Sequence, residues 1–235
     1  MPRFALTSSG NEMLKLQRVS ASIAGITVLR EIDVSLPPGQ LLAVVGRNGA
    51  GKTTLLRAIM GLLPISAGRI TLDGIDLGGA PGHRRTELGI GYAPEDRVIY
   101  PTFTVEENLR LPCEVLGLSN HEISQRLDRV LDVVPQLAPM LARSGAALSG
   151  GQGKMAALGR ALMVGTRFVL LDEPFQGLAP VLANQYAESL RRLHQSDPAL
   201  CIIVTESNRS LMRDLPDATL TLERGELQSE TLATP

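Results

Sequence analysis

The octapeptide Gly46-Arg47-Asn48-Gly49-Ala50-Gly51-Lys52-Thr53 decides the fold of this chain, because it fits the pattern G-x-x-x-x-G-K-[ST] without a mismatch. The apolar run Leu41–Val45 before it is typical of a buried strand, and residues 53–63 after it have helical spacing. A strand, a glycine-rich turn and a helix form the context that a phosphate-binding loop requires. The alternative is a chance turn, to which average composition gives odds of roughly one per cent in a chain of this length. The sequence therefore predicts a nucleotide site.

Each part of this loop has a physical task at a phosphate group. Glycines let backbone N–H groups come close to phosphate oxygens, and the helix that begins there adds its positive N-terminal end. Lys52 reaches the β- and γ-phosphates, and the hydroxyl of Thr53 is a ligand for Mg²⁺. The residues expected to contact the nucleotide are Gly46, Arg47, Asn48, Gly49, Ala50, Gly51, Lys52, Thr53 and Thr54.

The composition excludes one class of partner. The chain has 235 residues, and a hydrophobic share of 44% is enough for a real core in one large α/β domain. A formal net charge of −1, an aromatic share of 3% and the lack of tryptophan provide neither a basic field nor stacking platforms. We therefore expect no nucleic-acid partner.

The cysteines and the absence of targeting signals indicate a reducing compartment. Cys113 and Cys201 lie far apart in apolar settings, so reduced core thiols are expected rather than a disulfide or a metal pair. Residues 1–10 contain no secretory apolar region, and no apolar run approaches the ~18 residues that span a bilayer. A cytosolic chain is expected, which leaves docking on a membrane protein open.

Buried strands that alternate with helices predict an α/β fold with a mostly parallel sheet. Strands are expected at 13–19, 28–36, 41–45, 69–72, 88–93, 168–171, 200–205 and 218–222, and helices at 53–63, 105–111, 122–134, 148–162 and 181–194. The run of helices in mid-chain predicts a helical subdomain of about 95–165. It is inserted into a core of about 1–94 and 166–228, which a tail at 229–235 follows, and together they form a single domain.

An acidic pair ends the apolar strand Phe168-Val169-Leu170-Leu171-Asp172-Glu173. An acidic residue at the end of a buried strand reaches the Mg²⁺ held by a phosphate loop at the neighbouring strand end, which suits Asp172. Glu173 is placed to polarise a water molecule toward the γ-phosphate. The alternative is an ordinary strand-to-loop turn, which the complete phosphate loop upstream makes a weaker interpretation.

A second anion-binding helix start is indicated by Leu148-Ser149-Gly150-Gly151-Gln152. A serine and two glycines at the start of a helix leave backbone N–H groups for an anion. The alternative is an ordinary N-cap with a flexible entry. The order of these five residues, between a phosphate loop and an acidic strand end, favours the functional interpretation.

Together these three motifs resemble the nucleotide-binding subunit of an ATP-binding-cassette (ABC) transporter, over roughly residues 13–227. The resemblance implies a P-loop NTPase fold, the ABC ATPase domain, with a mostly parallel core sheet, an antiparallel β subdomain and an inserted helical subdomain. It implies ATP and Mg²⁺ as cofactors and ATP hydrolysis coupled to transport. In that family two cassettes face each other head to tail, and each ATP lies between the phosphate loop of one and the Leu-Ser-Gly-Gly-Gln segment of the other. The resemblance thus assigns the partner's nucleotide to Ser149, Gly150, Gly151 and Gln152.

A finer resemblance concerns GIGYAPEDRVIYPTFTVEENL at 89–109 and DEPFQGLAP at 172–180, which look like the branched-chain amino acid uptake subfamily. Close relatives of that subfamily import urea or short amides. The resemblance implies a peripheral subunit on the cytoplasmic face of the inner membrane, similar to the smaller cassette of a pair. Its implied partners are a second, different ABC ATPase subunit, two transmembrane permease subunits and, indirectly, a periplasmic solute-binding protein. The solute itself is chosen by those partners.

Two departures from the family pattern concern catalysis. Glu95 stands where the superfamily usually has a glutamine that senses Mg²⁺ and the attacking water, so the resemblance assigns Glu95 to both metal and catalysis. After the strand at 200–204 the superfamily carries a histidine on the γ-phosphate, whereas this chain reads Thr205-Glu206-Ser207-Asn208. The three histidines, at 83, 121 and 194, fall elsewhere and are expected to face solvent or lie in loops. A carboxylate facing a γ-phosphate would repel it, so hydrolysis at this chain's own site stays open.

Four further positions concern recognition. Ile23 falls near the place of the aromatic residue that stacks on adenine in the family, and Ala179 replaces an aspartate at the dimer seam. Tyr100 and Phe103 lie in the segment that would meet a permease. Surface aromatics often anchor interfaces, but burial in the helical subdomain is an equal alternative for this pair.

Two other classes of function compete with a transport ATPase: a soluble cassette ATPase, and a small-molecule kinase or GTPase. A soluble cassette ATPase that acts on DNA or ribosomes would typically carry a long coiled-coil insert or two cassettes, and neither is present. A GTPase would be expected to show Asn-Lys-x-Asp, and the chain contains no Asn-Lys pair. A small-molecule kinase would not need the pentapeptide at 148–152. A transport ATPase is therefore the leading hypothesis.

Overall fold

The computed structural model of the chain describes residues 4–5, 12–96, 98–212 and 214–232. Arg97 of the stretch 89–109, residues 233–235 of the predicted tail and nearly all of residues 1–11 lie outside the described residues. Strands and helices alternate along the described chain and build two sheets.

The central sheet brings the polar strand ends together. Its six strands lie in the order β11 (Glu226–Leu232), β10 (Ala218–Glu223), β4 (Leu41–Val45), β9 (Cys201–Glu206), β8 (Phe168–Asp172) and β7 (Ile90–Ala93). All pairings from β10 to β7 are parallel, and β11 joins β10 antiparallel. Every residue of β4, β8 and β9 is buried, as is typical of a parallel sheet covered on both faces. Because parallel strands end at the same edge, the phosphate loop, Asp172 and Glu206 come together there.

A second, mainly antiparallel sheet covers the phosphate-loop helix. It consists of β1 (Phe4–Ala5), β3 (Ile26–Leu36), β2 (Leu14–Ile23), β5 (Ala67–Leu72) and β6 (Ile75–Asp76), in that order. Only the β1–β3 pairing is parallel among the described strands of this sheet. Its apolar side chains, such as Leu29, share one core with Leu56 of α1 (Lys52–Met60) and Leu220 of β10. This core fixes α1 between the two sheets.

The short helix α2 (Gly82–Glu87) completes the end of α1. Its Arg85 is buried and donates hydrogen bonds to the carbonyl oxygens of Ala58 (2.7 Å) and Ile59 (2.5 Å) in the last turn of α1, and to those of Leu77 and Ala80. A helix leaves its last carbonyl groups without partners, and the guanidinium supplies them here. Burial lowers the pKa of Arg85.

Three α-helices lie between β7 and β8 in the described part of the sequence, and these two strands are neighbours in the central sheet. They are α3 (Val105–Val115), α4 (Asn120–Val133) and α5 (Gly150–Val164), and each begins with a capping box. With α6 (Pro180–Ser196) they cover the second face of the sheet, where Leu109, Val130, Leu158 and Leu190 share one apolar core. The apolar spacing of the sequence and the Ser or Thr caps therefore place these helices.

The predicted α/β fold with a mostly parallel sheet, an antiparallel β sheet and an insertion of helices is confirmed. The expected free thiols are also confirmed, since Cys113 and Cys201 are buried and unbridged. The sequence missed α2, because its six residues are rich in charge and present no apolar face. None of the helices in the described ranges is long and apolar enough to span a membrane. The domain boundaries stay a prediction.

Candidate nucleotide-binding site

The phosphate loop connects β4 to α1 through two positions that need glycine. A Cβ atom on Gly46 would collide with the carbonyl oxygen of Leu222 in β10. Gly51 has a φ of 110°, which L side chains rarely adopt, and it is the N-cap of α1. Since Gly51 has no side chain, no side-chain hydrogen bond closes this helix start. The first N–H groups of α1 are thus left for an anion, which fits a phosphate.

Lys52, the first residue of α1, has its ammonium group inside this loop. Only 4% of its surface is exposed, and Nζ lies 2.7 Å from the carbonyl oxygen of Gly46 and 3.2 Å from that of Arg47. The same Nζ lies 2.9 Å from Oε1 of Glu173 and 3.3 Å from Oγ of Ser207. The charge that suits a phosphate is therefore balanced here by a carboxylate of the same chain.

Asp172 is the last residue of β8, and its carboxylate accepts hydrogen bonds from three hydroxyl groups. Thr53 Oγ1 and Thr205 Oγ1 donate to its Oδ1 at 3.2 Å and 2.7 Å, and the Tyr92 hydroxyl donates to Oδ2 at 3.3 Å. Burial, and then the charge of Asp172, raises the pKa of Tyr92, so this phenol stays a donor. The Thr53 hydroxyl and the Asp172 carboxylate, whose oxygens lie 3.2 Å apart, are hard ligands of the kind that Mg²⁺ prefers.

A metal ion at this point would depend on the nucleotide for further ligands. Within the part of the chain that the structure describes, no group of three or more His, Cys, Asp or Glu side chains could hold a metal by itself. Mg²⁺ is commonly held by one or two protein ligands together with substrate phosphates and water. Thr53 and Asp172 fit that pattern, and their role as metal ligands stays a prediction.

Glu173 follows Asp172 in a strained backbone conformation. Its φ is 45°, in the left-handed region, which costs a non-glycine residue about 1–3 kcal/mol. Oε1 contacts Lys52 Nζ and lies 2.8 Å from Ser207 Oγ, while Oε2 is buried without a hydrogen-bond partner among the described residues. A buried acceptor with no partner beside a phosphate loop is suited to a water molecule.

The end of β9 settles which side chain faces this cluster. The side chain of Glu206 points to the segment after β8 rather than to the phosphate loop, since its Oε1 accepts a hydrogen bond of 2.8 Å from the N–H of Phe175. Ser207 faces the loop instead, with Oγ 2.8 Å from Asn48 Oδ1 as well as from Glu173 Oε1. Within residues 205–208, the neutral hydroxyl of Ser207 therefore contacts the phosphate loop. Which of these residues takes the part of the family's histidine stays a prediction.

Two carboxyl groups near the site have raised pKa values. Burial raises the pKa of Glu206 to about 7, and the negative charge of Glu173 adds to this effect. Partial desolvation raises the pKa of Glu95, and the negative charges of Glu173 and Asp172 raise it further. Glu95 follows β7 at the same edge of the sheet and is exposed. The structure thus places it in the field of the acidic pair, and its catalytic and metal roles stay predictions.

The second helix start is satisfied by its own side chains. Ser149 Oγ accepts from the N–H of Gln152 at 3.3 Å, and Gln152 Oε1 accepts from the N–H of Ser149 at 3.0 Å. This capping box begins α5. A Cβ atom on Gly151 would press against the side chain of Leu182 in α6. Contact of residues 149–152 with a nucleotide of a partner stays a prediction.

The remaining predicted positions lie at the surface. Ile23, the proposed adenine contact, is 46% exposed at the end of β2, next to the turn at Ala24 and Gly25. Tyr100 and Phe103 are 44% and 37% exposed, with ring centroids 5.6 Å apart. This favours the surface interpretation of the pair over burial in the helical core.

The histidines lie outside the site. His83, His121 and His194 are all on helices, and His194 is half-buried with Nε2 3.4 Å from Asp217 Oδ2. The expectation that they face solvent or lie in loops is therefore wrong for His194.

Sequence reasoning missed three side chains that join the site. Thr205 and Tyr92 bind Asp172, and Lys154 Nζ donates to the carbonyl oxygen of Glu173 at 2.6 Å. The only available signal was their position next to strand ends or close to the pentapeptide. A polar residue at such a position becomes a candidate only when its partner is known.

Comparisons with known proteins agree with this geometry. A family model described as ABC transporter matches residues 29–176. The probable branched-chain amino acid transport ATP-binding protein LivF of Archaeoglobus fulgidus is 32% identical over 213 residues, which cover 91% of this chain and 89% of the relative. The high-affinity branched-chain amino acid transport ATP-binding protein BraG of Pseudomonas aeruginosa is 32% identical over 92% of this chain and 91% of its own length.

Other relatives of this chain are named for the import of different solutes. The Fe(3+) ions import ATP-binding protein FbpC of Pseudomonas fluorescens is 37% identical over 82% of this chain and 54% of its own length. Among solved structures, a dimeric ATP-binding cassette in a post-hydrolysis state with ADP and phosphate matches with a TM-score of 0.83. That match covers 95% of this chain and 100% of the other at 22% identity, which shows a shared fold. By its family match and its relatives, this chain belongs to the ABC transporter family as an ATP-binding subunit, an ATPase coupled to transport.

Proposed function

We propose that the chain is the ATP-hydrolysing subunit of an importer for branched-chain or chemically related amino acids. The names of LivF and BraG and the stretches at 89–109 and 172–180 support this solute class. Relatives named for Fe(3+) and maltose import match the same cassette, so the family alone does not select a solute. Import of urea or short amides is the alternative.

The proposed chemistry rests on one observation, the contact of Lys52 Nζ with Glu173 Oε1 at 2.9 Å inside the phosphate loop. ATP entering the loop gives Lys52 the oxygens of its β- and γ-phosphates in place of the carboxylate. Glu173 is then released from its counter-ion, and its carboxylate accepts the proton of the attacking water. Ser207 orients Glu173 through its hydroxyl, 2.8 Å from Oε1.

Mg²⁺ bound with ATP would neutralise charge on the β- and γ-phosphates. Thr53 and Asp172 would hold it, with Glu95 at its periphery. Thr205 and Tyr92 keep the carboxylate of Asp172 oriented, since both donate hydrogen bonds to it. The N–H groups at the start of α1 stabilise the phosphates without any movement of a side chain.

Subunits of this family dimerise and work with membrane permease subunits. In our proposal the partner cassette is a second, different ATPase, and Ser149, Gly150, Gly151 and Gln152 complete the site of that partner. Two permeases and, indirectly, a periplasmic binding protein complete the importer, with this chain on the cytoplasmic face of the membrane. ATP binds the closed pair of cassettes more tightly than the open pair, and this difference drives the permeases.

The test is ATP turnover of the complete transporter with Glu173→Gln in this chain alone. We expect turnover to fall by about 100-fold or more, because a general base and its alignment are both lost. Glu188→Gln, on the exposed side of α6, is the matched control. Turnover that survives Glu173→Gln would contradict the catalytic assignment. Uptake of labelled leucine, valine and urea by cells that carry each variant then identifies the solute class.

A further inference from the structure

The backbone around Glu173 forms hydrogen bonds with side chains of two other elements, α5 and β9. The N–H of Glu173 points to Thr205, 3.1 Å from its carbonyl oxygen and 3.2 Å from Oγ1. The carbonyl oxygen of Glu173 accepts from Lys154 Nζ at 2.6 Å, and the N–H of Phe175 donates to Glu206 Oε1 at 2.8 Å. The N–H and carbonyl groups of Glu173 and the N–H of Phe175 are therefore held by residues outside the segment that joins β8 to α6.

The two charged residues that form these hydrogen bonds, Lys154 and Glu206, lie on different elements. Lys154 lies on the second turn of α5, just after the pentapeptide, and Glu206 is the last residue of β9. Their polar atoms contact the segment between β8 and α6, so these hydrogen bonds link elements that are distant in sequence.

The cost of Glu206 indicates a role other than packing. Its side chain is only 1% exposed, and burying a carboxyl group is unfavourable unless it is bonded. Burial raises its pKa, Glu173 raises it further, and the Phe175 N–H and Lys154 act in the opposite direction. Residues kept in such costly places tend to serve a site rather than the stability of the fold.

We propose that Lys154 and Glu206 are positioning residues for Glu173. They hold residues 173–175 from the α5 side and from the β9 side, so that Glu173 keeps its left-handed backbone and its carboxylate stays on Lys52 and Ser207. This inference rests on the proposed function, since it takes Glu173 as the base. Lys154 also ties the helix that carries the pentapeptide to this chain's own catalytic loop.

The test compares variants that remove or keep each contact, in the full chain within its transporter complex. Glu206→Leu removes the acceptor for Phe175, Glu206→Gln keeps an amide oxygen there, and Lys154→Met removes the donor to Glu173. Glu188→Leu on the exposed side of α6 and Lys15→Met on β2 are the matched controls. The measured quantities are kcat and KM for ATP hydrolysis and the Kd of ATP.

We expect Glu206→Leu and Lys154→Met to lower kcat by about 10- to 100-fold, as a small misplacement of a catalytic group does. The Kd of ATP should stay within about twofold, since the phosphate loop is unchanged, and Glu206→Gln should restore most of kcat. A purely structural role would lower binding and kcat together. Lys154 is half-buried on a helix, so Lys154→Met carries the test if Glu206→Leu does not fold.

Glu173→Gln in the same series separates the two proposals. If Glu173→Gln abolishes turnover while Lys154→Met and Glu206→Leu retain it, the positioning inference is overturned and the proposed function stands. If Glu173→Gln leaves turnover intact, both are overturned. If kcat falls in all three variants with unchanged ATP affinity, and the Gln variant at 206 restores it, both are supported.

Discussion

The two helix starts that face phosphate in the proposed function are built in opposite ways. The start of α1 has Gly51 as its N-cap and no side-chain hydrogen bond, so its N–H groups are left for a ligand. The start of α5 has Ser149 and Gln152, which bond to each other's backbone. The first is a preformed anion site within one chain, whereas the second is satisfied until something displaces its caps. We infer that α1 binds nucleotide by itself and that α5 contributes only in an assembly.

The largest expected effect is at α1. Lys52→Met should weaken ATP binding by about 1000-fold, or about 4 kcal/mol, because two charge-assisted hydrogen bonds to phosphate are lost. Titration with a fluorescent ATP analogue measures it, and Lys15→Met on β2 serves as the control. ATP affinity within tenfold of the unmodified chain would show that the N–H groups of α1 suffice for ATP binding. The two helix starts would then differ only in their N-caps.

A second effect concerns Glu206, the last residue of β9. Its backbone carbonyl oxygen accepts from the N–H of Gly46, and its side chain holds the loop that Lys154 of α5 also holds. Because its pKa rises from 4.5 to about 7 on folding, the neutral form is favoured in the folded chain. Stability from this group is full below pH 4.5 and is lost as the pH rises through 7.

Glu206→Gln is neutral at every pH and should therefore gain stability relative to the unmodified chain by about 2–3 kcal/mol between pH 5 and pH 8. Urea unfolding at both pH values measures the change. Glu188→Gln, an exposed carboxylate on α6, should show a difference near zero. An equal free energy of unfolding for Glu206→Gln and the unmodified chain at both pH values would refute the raised pKa.

A third effect isolates the backbone of α1. Gly51→Ala should lower the free energy of unfolding by about 2 kcal/mol, because a Cβ atom is strained at a φ of 110°. The new Cβ also meets Leu29 Cδ2 at 3.0 Å. Thermal unfolding measures the loss. Gly74→Ala, at a φ of 76° with nothing within 4 Å of the new Cβ, is the control for strain without contact.

The smallest effect is at α5. Ser149→Ala removes one half of the capping box and should cost about 1 kcal/mol, or a melting temperature about 2–4 °C lower, in the nucleotide-free chain. ATP binding to the isolated chain should not change, since α1 is intact. A fall in ATP affinity of the isolated chain would break the comparison, because α5 would then serve its own nucleotide.

The parts of the site that the sequence predicted share one property. The phosphate loop, the acidic pair at 172–173 and the pentapeptide each combine a local backbone demand with side chains a few positions apart. Glycine at a positive φ, a serine cap and an acidic strand end are requirements within a single turn. For this reason the strands β4 and β8 and the start of α5 lie within two residues of their predicted positions.

The parts that the sequence did not predict depend on distant partners. Arg85 binds the end of α1 from a helix that has no apolar face of its own, so no periodic pattern indicated it. Tyr92 and Asp172 are 80 positions apart, and Lys52 and Ser207 are 155 positions apart. Such pairs exist only because neighbouring parallel strands end at one edge of the sheet.

The sequence by itself determined that this protein binds a nucleotide on a strand, loop and helix, and it indicated the acidic pair and the second helix start. Only the tertiary structure decided that Ser207, not Glu206, faces Lys52. It also decided that Lys154 and Glu206 form hydrogen bonds with the backbone of Glu173 and Phe175. The physical reason is the alternation of side chains at the end of β9, where neighbouring residues face opposite ways and the packing of the adjacent strands selects one of them.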